Sequence, residues 1–189
     1  MLGRDRVLAR IDGQELTLSS RHSELVVLLA AHPAGMTGEA LAIALYGESG
    51  KPVTARAEVS RLKRLLGRRL HSEPYRFSGG VESDLITVQE LLEEGRVADA
   101  ASRYPGPMLP RSDAPGVVAL RQELEGWMRQ SVLAAEDVEA LWLWLQTPSG
   151  GDDASAWRRF LAGIPHDDGR RGLAATRLHH LRQTFASEV

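Results

Sequence analysis

Apolar positions along this chain follow two rhythms. In the first eighty residues short segments alternate in type. Val7–Ile11 and Glu15–Leu18 flank Asp12-Gly13. They predict a β-hairpin, because Asp-Gly supplies the positive-φ positions of a tight turn. Ser19 and Ser20 stand where a helix cap is needed, and Leu25, Val26, Leu28 and Leu29 then cover one broad helical face. That helix ends near His32-Pro33, since proline disfavours the α conformation in the residue before it. Thr37 caps a short second helix, 38–46, with Leu41, Ala44 and Leu45 inward. Residues 47–53, rich in Gly, Ser and Pro, read as a loop. Thr54 opens a third helix that Gly67 closes. Residues 68–71 and 75–77 read as two short strands around Ser72-Glu73-Pro74.

The third helix, TARAEVSRLKRLLG, is the most informative segment. At 100° per residue Ala55, Val59, Leu62 and Leu66 fall within about 60° of one another and form a packing stripe. Ala57, Ser60, Arg61, Arg64 and Arg68 point the opposite way, with Arg56 and Lys63 on one flank. The helix is apolar beneath and cationic above. Leu65 lies off the stripe and is expected to cover the strand pair at 68–77 or the helical region.

After Gly79-Gly80 only the helical rhythm remains. Asp84 caps a helix with Leu85, Val88, Leu91 and Leu92 on one face, ended by Gly95. Val97, Ala100, Ala101 and Tyr104 give the next, and these two resemble one tetratricopeptide-like hairpin, too incomplete for an array. A Pro-rich turn, PGPMLPRSDAP, precedes a long helix with Leu120, Leu124, Trp127 and Val132. Further helices follow: one from Asp137 with Leu141, Trp142 and Leu145, one from Asp152 with Trp157, Phe160 and Leu161, and a last with Leu173, Leu178, Leu181 and Phe185. The four tryptophans read as helical core, with Trp144, off the stripe, the one expected to be exposed.

Charge sharpens this division. Residues 1–80 carry 12 basic and 8 acidic side chains, net +4, and 81–189 carry 11 and 17, net −6. Residues 51–69 hold seven basic side chains and one acid, Glu58, whereas 81–100 hold six acids and one Arg. Such blocks imply a basic face for an anionic partner and a separate acidic part, or else a solvated basic helix. The 189 residues are 43% apolar, enough to fill a core, and contain no cysteine, which excludes disulfides and thiolate chemistry and suits a reducing cytosol. The longest apolar run, 25–31, is seven residues, so no membrane span is expected. The charged start, MLGRDRVLAR, lacks the apolar core of a signal peptide.

Two short strands, three helices with a cationic third, and a terminal hairpin are the order of a winged helix-turn-helix. Here the residues carry a resemblance. VTARAEVSRLKRLL is similar to the recognition helix of the winged-helix output domains of bacterial response regulators (OmpR type), with Thr54, Val59, Arg61, Leu62 and Leu66 on its recurring positions. DGQELTLSSRHSELVVLLAAHPAGMTGEALAIALYG resembles the start of that family, and Tyr75-Arg76-Phe77 its wing strand. DLITVQELLEEGRVADAASRYPGPMLPRSDAPGVVALRQELEGWMRQ resembles the start of the bacterial transcriptional activator domain, which follows the winged helix in the Streptomyces antibiotic regulatory protein family. The Trp-rich tail is more like that of actinobacterial regulators that begin with a GAF sensory domain.

The resemblance implies an α+β chain: an OmpR-type winged helix-turn-helix over 1–80, then an all-α helical domain over 81–189. On the matching helix Ala57 and Arg61 fall where the family meets base edges. Arg56, Ser60 and Arg64 lie near bases or phosphates, and Thr54 at the helix start holds a phosphate. Lys63 and Arg68 complete the expected duplex face, although Lys63 and Arg69 read equally as solvated flank charges. The wing turn departs from the family: it is cut to Ser72-Glu73-Pro74, carries an acid, and leaves the helix to do most of the recognition. Family members work as dimers or tandem pairs on repeated half-sites, and contact RNA polymerase through the loop matching 47–53. No sensory module is visible, so an input domain N-terminal to these residues is expected.

Enzyme-like features are weak. Gly47-Glu-Ser-Gly50-Lys51 lacks the Gly that a phosphate loop needs at Leu45 and the Ser or Thr it needs at Pro52. Six histidines show no His-Glu-x-x-His spacing, and His179 and His180 project about 100° apart on a helix, where they cannot easily share a metal. Asp152-Asp153 and Asp167-Asp168 sit at helix starts, where capping explains them. The expectation is a cytoplasmic, sequence-specific DNA-binding transcriptional regulator, not an enzyme, with no cofactor, metal or membrane association. Two readings stay open beside it: a protein-interaction module in which the basic helix is incidental, and a hydrolase using Asp and His pairs.

Overall fold

The computed structural model describes residues 1–187, with side chains to residue 184, so Phe185 lies outside the described side chains. The chain is mixed α+β, with two small antiparallel sheets and ten helices among the described residues. It divides into two compact units, residues 1–87 with 107–124, and 88–106 with 125–189. Segment 107–124 therefore returns to the N-terminal unit after the chain has left it.

In the first unit β1 (Leu8–Ile11) pairs with β2 (Gln14–Thr17), with Ala9 opposite Leu16. Asp12 and Gly13 both take positive φ, 51° and 81°, as the Asp-Gly turn requires. α1 (Ser20–Ala31) starts at Ser19, whose hydroxyl accepts from His22 N–H at 3.3 Å. Its residues 23–30 are all buried, which makes α1 the central element of the unit. Two of them are polar. Ser23 Oγ accepts from Val7 N–H (2.8 Å) and donates to Ser19 C=O (2.9 Å), and Glu24 pairs with Arg21 (2.6 Å) and accepts from Ser112 Oγ (2.8 Å). Burial without such partners would cost a kilocalorie or more.

α2 (Gly38–Tyr46) is capped by Thr37, and α3 (Pro52–Leu66) packs against α1 and α2. A 3-10 turn (Gly67–Arg69) leads into β3 (Leu70–Ser72), which pairs with β4 (Tyr75–Phe77). Met36 and Tyr75 exchange backbone hydrogen bonds at 3.0 and 2.9 Å, tying β4 to the turn before α2.

α4 (Asp84–Glu93) begins where Asp84 Oδ2 accepts from the Met1 amino group (2.7 Å) and Leu2 N–H (2.9 Å), while Ser83 Oγ accepts from Ile86 N–H. Within segment 107–124, Gly3 N–H donates to Pro107 C=O (2.9 Å) and Leu2 bridges Met108. Arg121 donates to the carbonyls of Met108, Leu109 and Ser112. Gly116, at the start of α6 (Pro115–Ala134), lies so close to α1 and α2 that a Cβ there would come within 2.8 Å of both Leu28 Cδ2 and Ala44 Cβ.

The second unit is helical. α5 (Val97–Ser102) contacts α7 (Val138–Leu145), and α8 (Pro148–Gly151), α9 (Ala154–Gly163) and α10 (Arg171–Ser187) follow. Asp137 caps α7 and Asp153 caps α9, the latter one residue later than the expected Asp152. Trp142, Trp157 and Phe160 form one aromatic cluster with ring centroids 5.3–6.4 Å apart. Trp144, expected at the surface, is 2% exposed and stacks on Tyr104 at 6.1 Å. Apart from Glu139 every residue of α7 is apolar and buried or half-buried, so a one-stripe reading of it fails. Leu173 departs the other way: it is 49% exposed, and Ala174 and Leu178 carry the buried side of α10.

Arg170 pins the Trp cluster. Its guanidinium lies 5.3 Å from the Trp142 ring centre and 5.2 Å from that of Phe160, forks onto Glu139 (2.7 and 3.0 Å), and holds Asp168. The Arg170 side chain and then its N–H pull the Asp168 carboxyl down to about 2. No helix among the described residues is long and apolar enough to cross a membrane.

Candidate nucleic-acid interface

The candidate face is the outer side of α3. Ala55, Val59, Leu62 and Leu66 are all buried, as their spacing predicts, and the intervening positions are thereby turned outward. Thr54, Arg56, Ala57, Ser60, Arg61, Lys63, Arg64 and Arg68 are all exposed. The structure thus brings every expected contact residue to the surface of one short segment.

Two of them sit differently from expectation. Thr54 does not open the helix: Lys51 is the N-cap, Pro52 takes the first helical position, and Thr54 N–H already donates to Lys51 C=O at 2.9 Å. Proline is preorganised for that first position, so it outcompetes the threonine as start signal. Arg68 is not on the helix, nor is it in a strand. Gly67 takes φ 60° and returns its N–H to Lys63 C=O, so α3 ends at Leu66 and Arg68 occupies the 3-10 turn behind it.

Partners of the cations divide them into two groups. Arg61 donates to Glu58 of the same helix, three residues earlier, and Lys63 Nζ donates to Ser72 Oγ at 2.6 Å, tying α3 to β3. Arg69 pairs with Asp12 of the first hairpin. Arg56, Arg64 and Arg68 form no ion pair among the described residues, so their charges are available. The Arg56 Nε lies 3.5 Å, and Tyr75 Cε2 3.7 Å, from where a Gly38 Cβ would stand, which places Arg56 beside the start of α2. No guanidinium of α3 turns toward the interior, and the acid that meets one is its own neighbour.

The β3–β4 hairpin carries two further exposed groups, on the side of the hairpin opposite Leu70 and Phe77. His71 and Arg76 are cross-strand partners and both exposed, while Leu70 and Phe77 face the other way. The alternation in Tyr75-Arg76-Phe77 was the available signal. Leu65, expected to be covered, is 47% exposed.

Elsewhere the chemistry is sparse. A cleft of about 890 Å³ within the first unit lies between β1 and residues 77–84, with Leu18, Val26 and Leu66 among its walls. No histidine lines it, and Arg10 with Glu15, and Met1 with Asp84, are mutually paired. A smaller cleft of about 410 Å³ in the second unit contains Arg129, which forks onto Asp153 at 2.6 and 3.1 Å. Among the described residues no group of three or more His, Asp or Glu could hold a metal ion.

No solved structure matches this chain. Residues 1–189 include a stretch that is 34% identical over 153 residues to an uncharacterized 47.3 kDa protein in the thcA 5' region of Rhodococcus erythropolis. The match takes in 80% of this chain and 35% of that protein, so the chain spans about a third of that relative's length. Residues 137–187, which contain α7 to α10, match the family model of the YTH3-like protein, third C-terminal helical domain, and the C-terminal part of the chain is a helical domain similar to it.

Proposed function

We propose that this chain is a sequence-specific DNA-binding transcriptional regulator, or the DNA-binding part of one, whose first 80 residues act as an OmpR-type winged helix-turn-helix. The observation that carries the reading is the division of α3 into a buried apolar stripe and an exposed face bearing Arg56, Arg64 and Arg68 without acid partners among the described residues. A helix roughly 10 Å across fits the major groove, with α2 lying across the backbone before it. Cations bound to no acid neutralise phosphates, and side chains between them read base edges.

In this reading α3 supplies Thr54, Arg56, Ala57, Ser60, Arg61, Lys63 and Arg64, the turn behind it supplies Arg68, and the role is binding without catalysis, cofactor or metal. Residues 47–53 present a surface for RNA polymerase, where Val53 is an exposed apolar side chain, and Ile43 is exposed on the preceding α2. Two copies on repeated half-sites, in the cytoplasm, complete the proposal. The same exposed apolar pair favours the second reading, a protein-interaction module that does not need DNA.

Selection of bound oligonucleotides from a random duplex pool separates the two. An enriched sequence whose retention is lost in Arg61→Ala/Arg64→Ala supports the regulator. Absence of enrichment, or binding indifferent to salt, refutes it.

A further inference from the structure

We propose that Glu58 is a specificity-determining positioning residue: it withholds Arg61 from phosphates and commits the pair to a G·C base pair. The inference rests on the duplex-binding reading above. Glu58 is the only acid between Lys51 and Arg69 and stands on the side of α3 away from Lys63. Its Oε1 accepts from Arg61 Nη1, with the carboxylate 18% exposed and the guanidinium 56% exposed. The acid is thus set back against the helix and the cation projects forward.

The consequence follows from charge. Arg61 with Glu58 is neutral as a unit, whereas Arg56, Arg64 and Arg68 have no acid partner among the described residues. A phosphate that approached Arg61 would meet the carboxylate behind it, and would release little counterion in compensation. A base edge imposes no such repulsion. The guanidinium has five N–H donors, so one given to Glu58 leaves enough for the two acceptors of guanine, O6 and N7. The carboxylate keeps a free oxygen to accept from a cytosine N4 amino group. As an exposed pair it is worth little in the free protein. Its effect arises when the duplex displaces water and an unsuitable neighbour leaves the carboxylate unpaired.

The test compares full-length wild type, Glu58→Gln and Arg61→Ala in selection from a random duplex pool, then measures binding of the wild-type motif at 50 and 200 mM salt. Wild type is expected to select a motif with a fixed G·C pair, and Arg61→Ala to lose that pair. Glu58→Gln frees Arg61 for a phosphate. Discrimination at the pair then relaxes, and affinity falls about 3.5-fold more than wild type between the two salts, the increment for one added contact. Thermal melting of Glu58→Gln equal to wild type shows that the fold is unchanged, and Glu58→Asp, which keeps the charge, restores the motif. A Glu58→Gln protein with the wild-type motif and salt dependence overturns the inference alone, as does an Arg61→Ala protein that keeps the G·C preference. A wild-type protein that selects no motif removes the reading beneath it as well.

Discussion

Replacing Arg56 and Arg64 together by alanine tests the candidate face most directly, because these two guanidiniums have no acid partner among the described residues and both lie exposed on α3. Each phosphate neutralised by a cation contributes about −0.9 to the slope of log affinity against log salt. Losing two contacts makes the slope shallower by about 1.8, so across a fourfold rise in salt, from 50 to 200 mM, the variant loses about 12-fold less affinity than wild type. At low salt the variant is the weaker binder, and the two curves converge as salt rises. Fluorescence anisotropy on a selected duplex measures both slopes. The substitution should leave the melting temperature within a degree or two, since exposed positions without partners carry little folding energy. Lys63 provides an internal comparison: its hydrogen bond to Ser72 directs the ammonium toward β3, so Lys63→Ala should shift the slope less. Parallel salt curves for wild type and the double variant would refute the assignment of these side chains to phosphates.

Three further outcomes follow from packing and charge. Leu62→Ala empties a fully buried site beneath the cationic face and should cost about 3–4 kcal/mol, read as a lowered denaturation midpoint with duplex binding lost in proportion. Gly116→Val places a Cβ within 2.8 Å of Leu28 and Ala44 and should destabilise by about 1–3 kcal/mol, whereas Gly80→Ala, with open space around it, should be close to neutral; urea melts compare them. Asp168 has its folded pKa depressed to about 2 from 3.8, so its contribution is present above about pH 4 and is lost as pH falls toward 2. Asp168→Asn should therefore be less stable than wild type at pH 6, with the gap closing toward pH 2 in urea melts.

Local features were legible where one short-range signal decides the outcome. Ser19 and Thr37 cap α1 and α2 because their hydroxyls reach the N–H groups three residues on, and Asp12-Gly13 turns the first hairpin because both residues accept positive φ. The α3 stripe was legible because four apolar residues at helical spacing admit one buried side. The errors arose where two signals compete. Thr54 and Pro52 both mark helix starts, and proline prevailed. Trp144 lies off the Leu141 and Leu145 stripe, yet α7 is covered on most sides and Tyr104, forty residues earlier, stacks on it. No local pattern carries that information. The Lys63 to Ser72 tie and the Arg61 to Glu58 pair depend on side-chain geometry, and the periodicity of α3 is silent on both.

The return of segment 107–124 has the largest consequence for where this chain can be cut. A boundary near residue 80 follows the change from mixed to helical rhythm, but the first unit contains residues well beyond it. Leu2 bridges Met108, Glu24 accepts from Ser112, and Gly116 lies against Leu28 and Ala44. Met108, Leu109 and Val117 are fully buried, and burying three such side chains is worth roughly 5–9 kcal/mol, comparable with the whole stability of a small domain. Cutting after residue 87 would also leave the buried Glu24 with Arg21 as its remaining partner. A protein of residues 1–87 should therefore lack a cooperative melt, while one of residues 1–134, which keeps α6 whole, should retain the hydrogen-exchange protection of α1. A cooperative transition in the shorter piece, at the midpoint of the full chain, would show that residues 1–87 are self-sufficient and that the return of 107–124 contributes nothing to them.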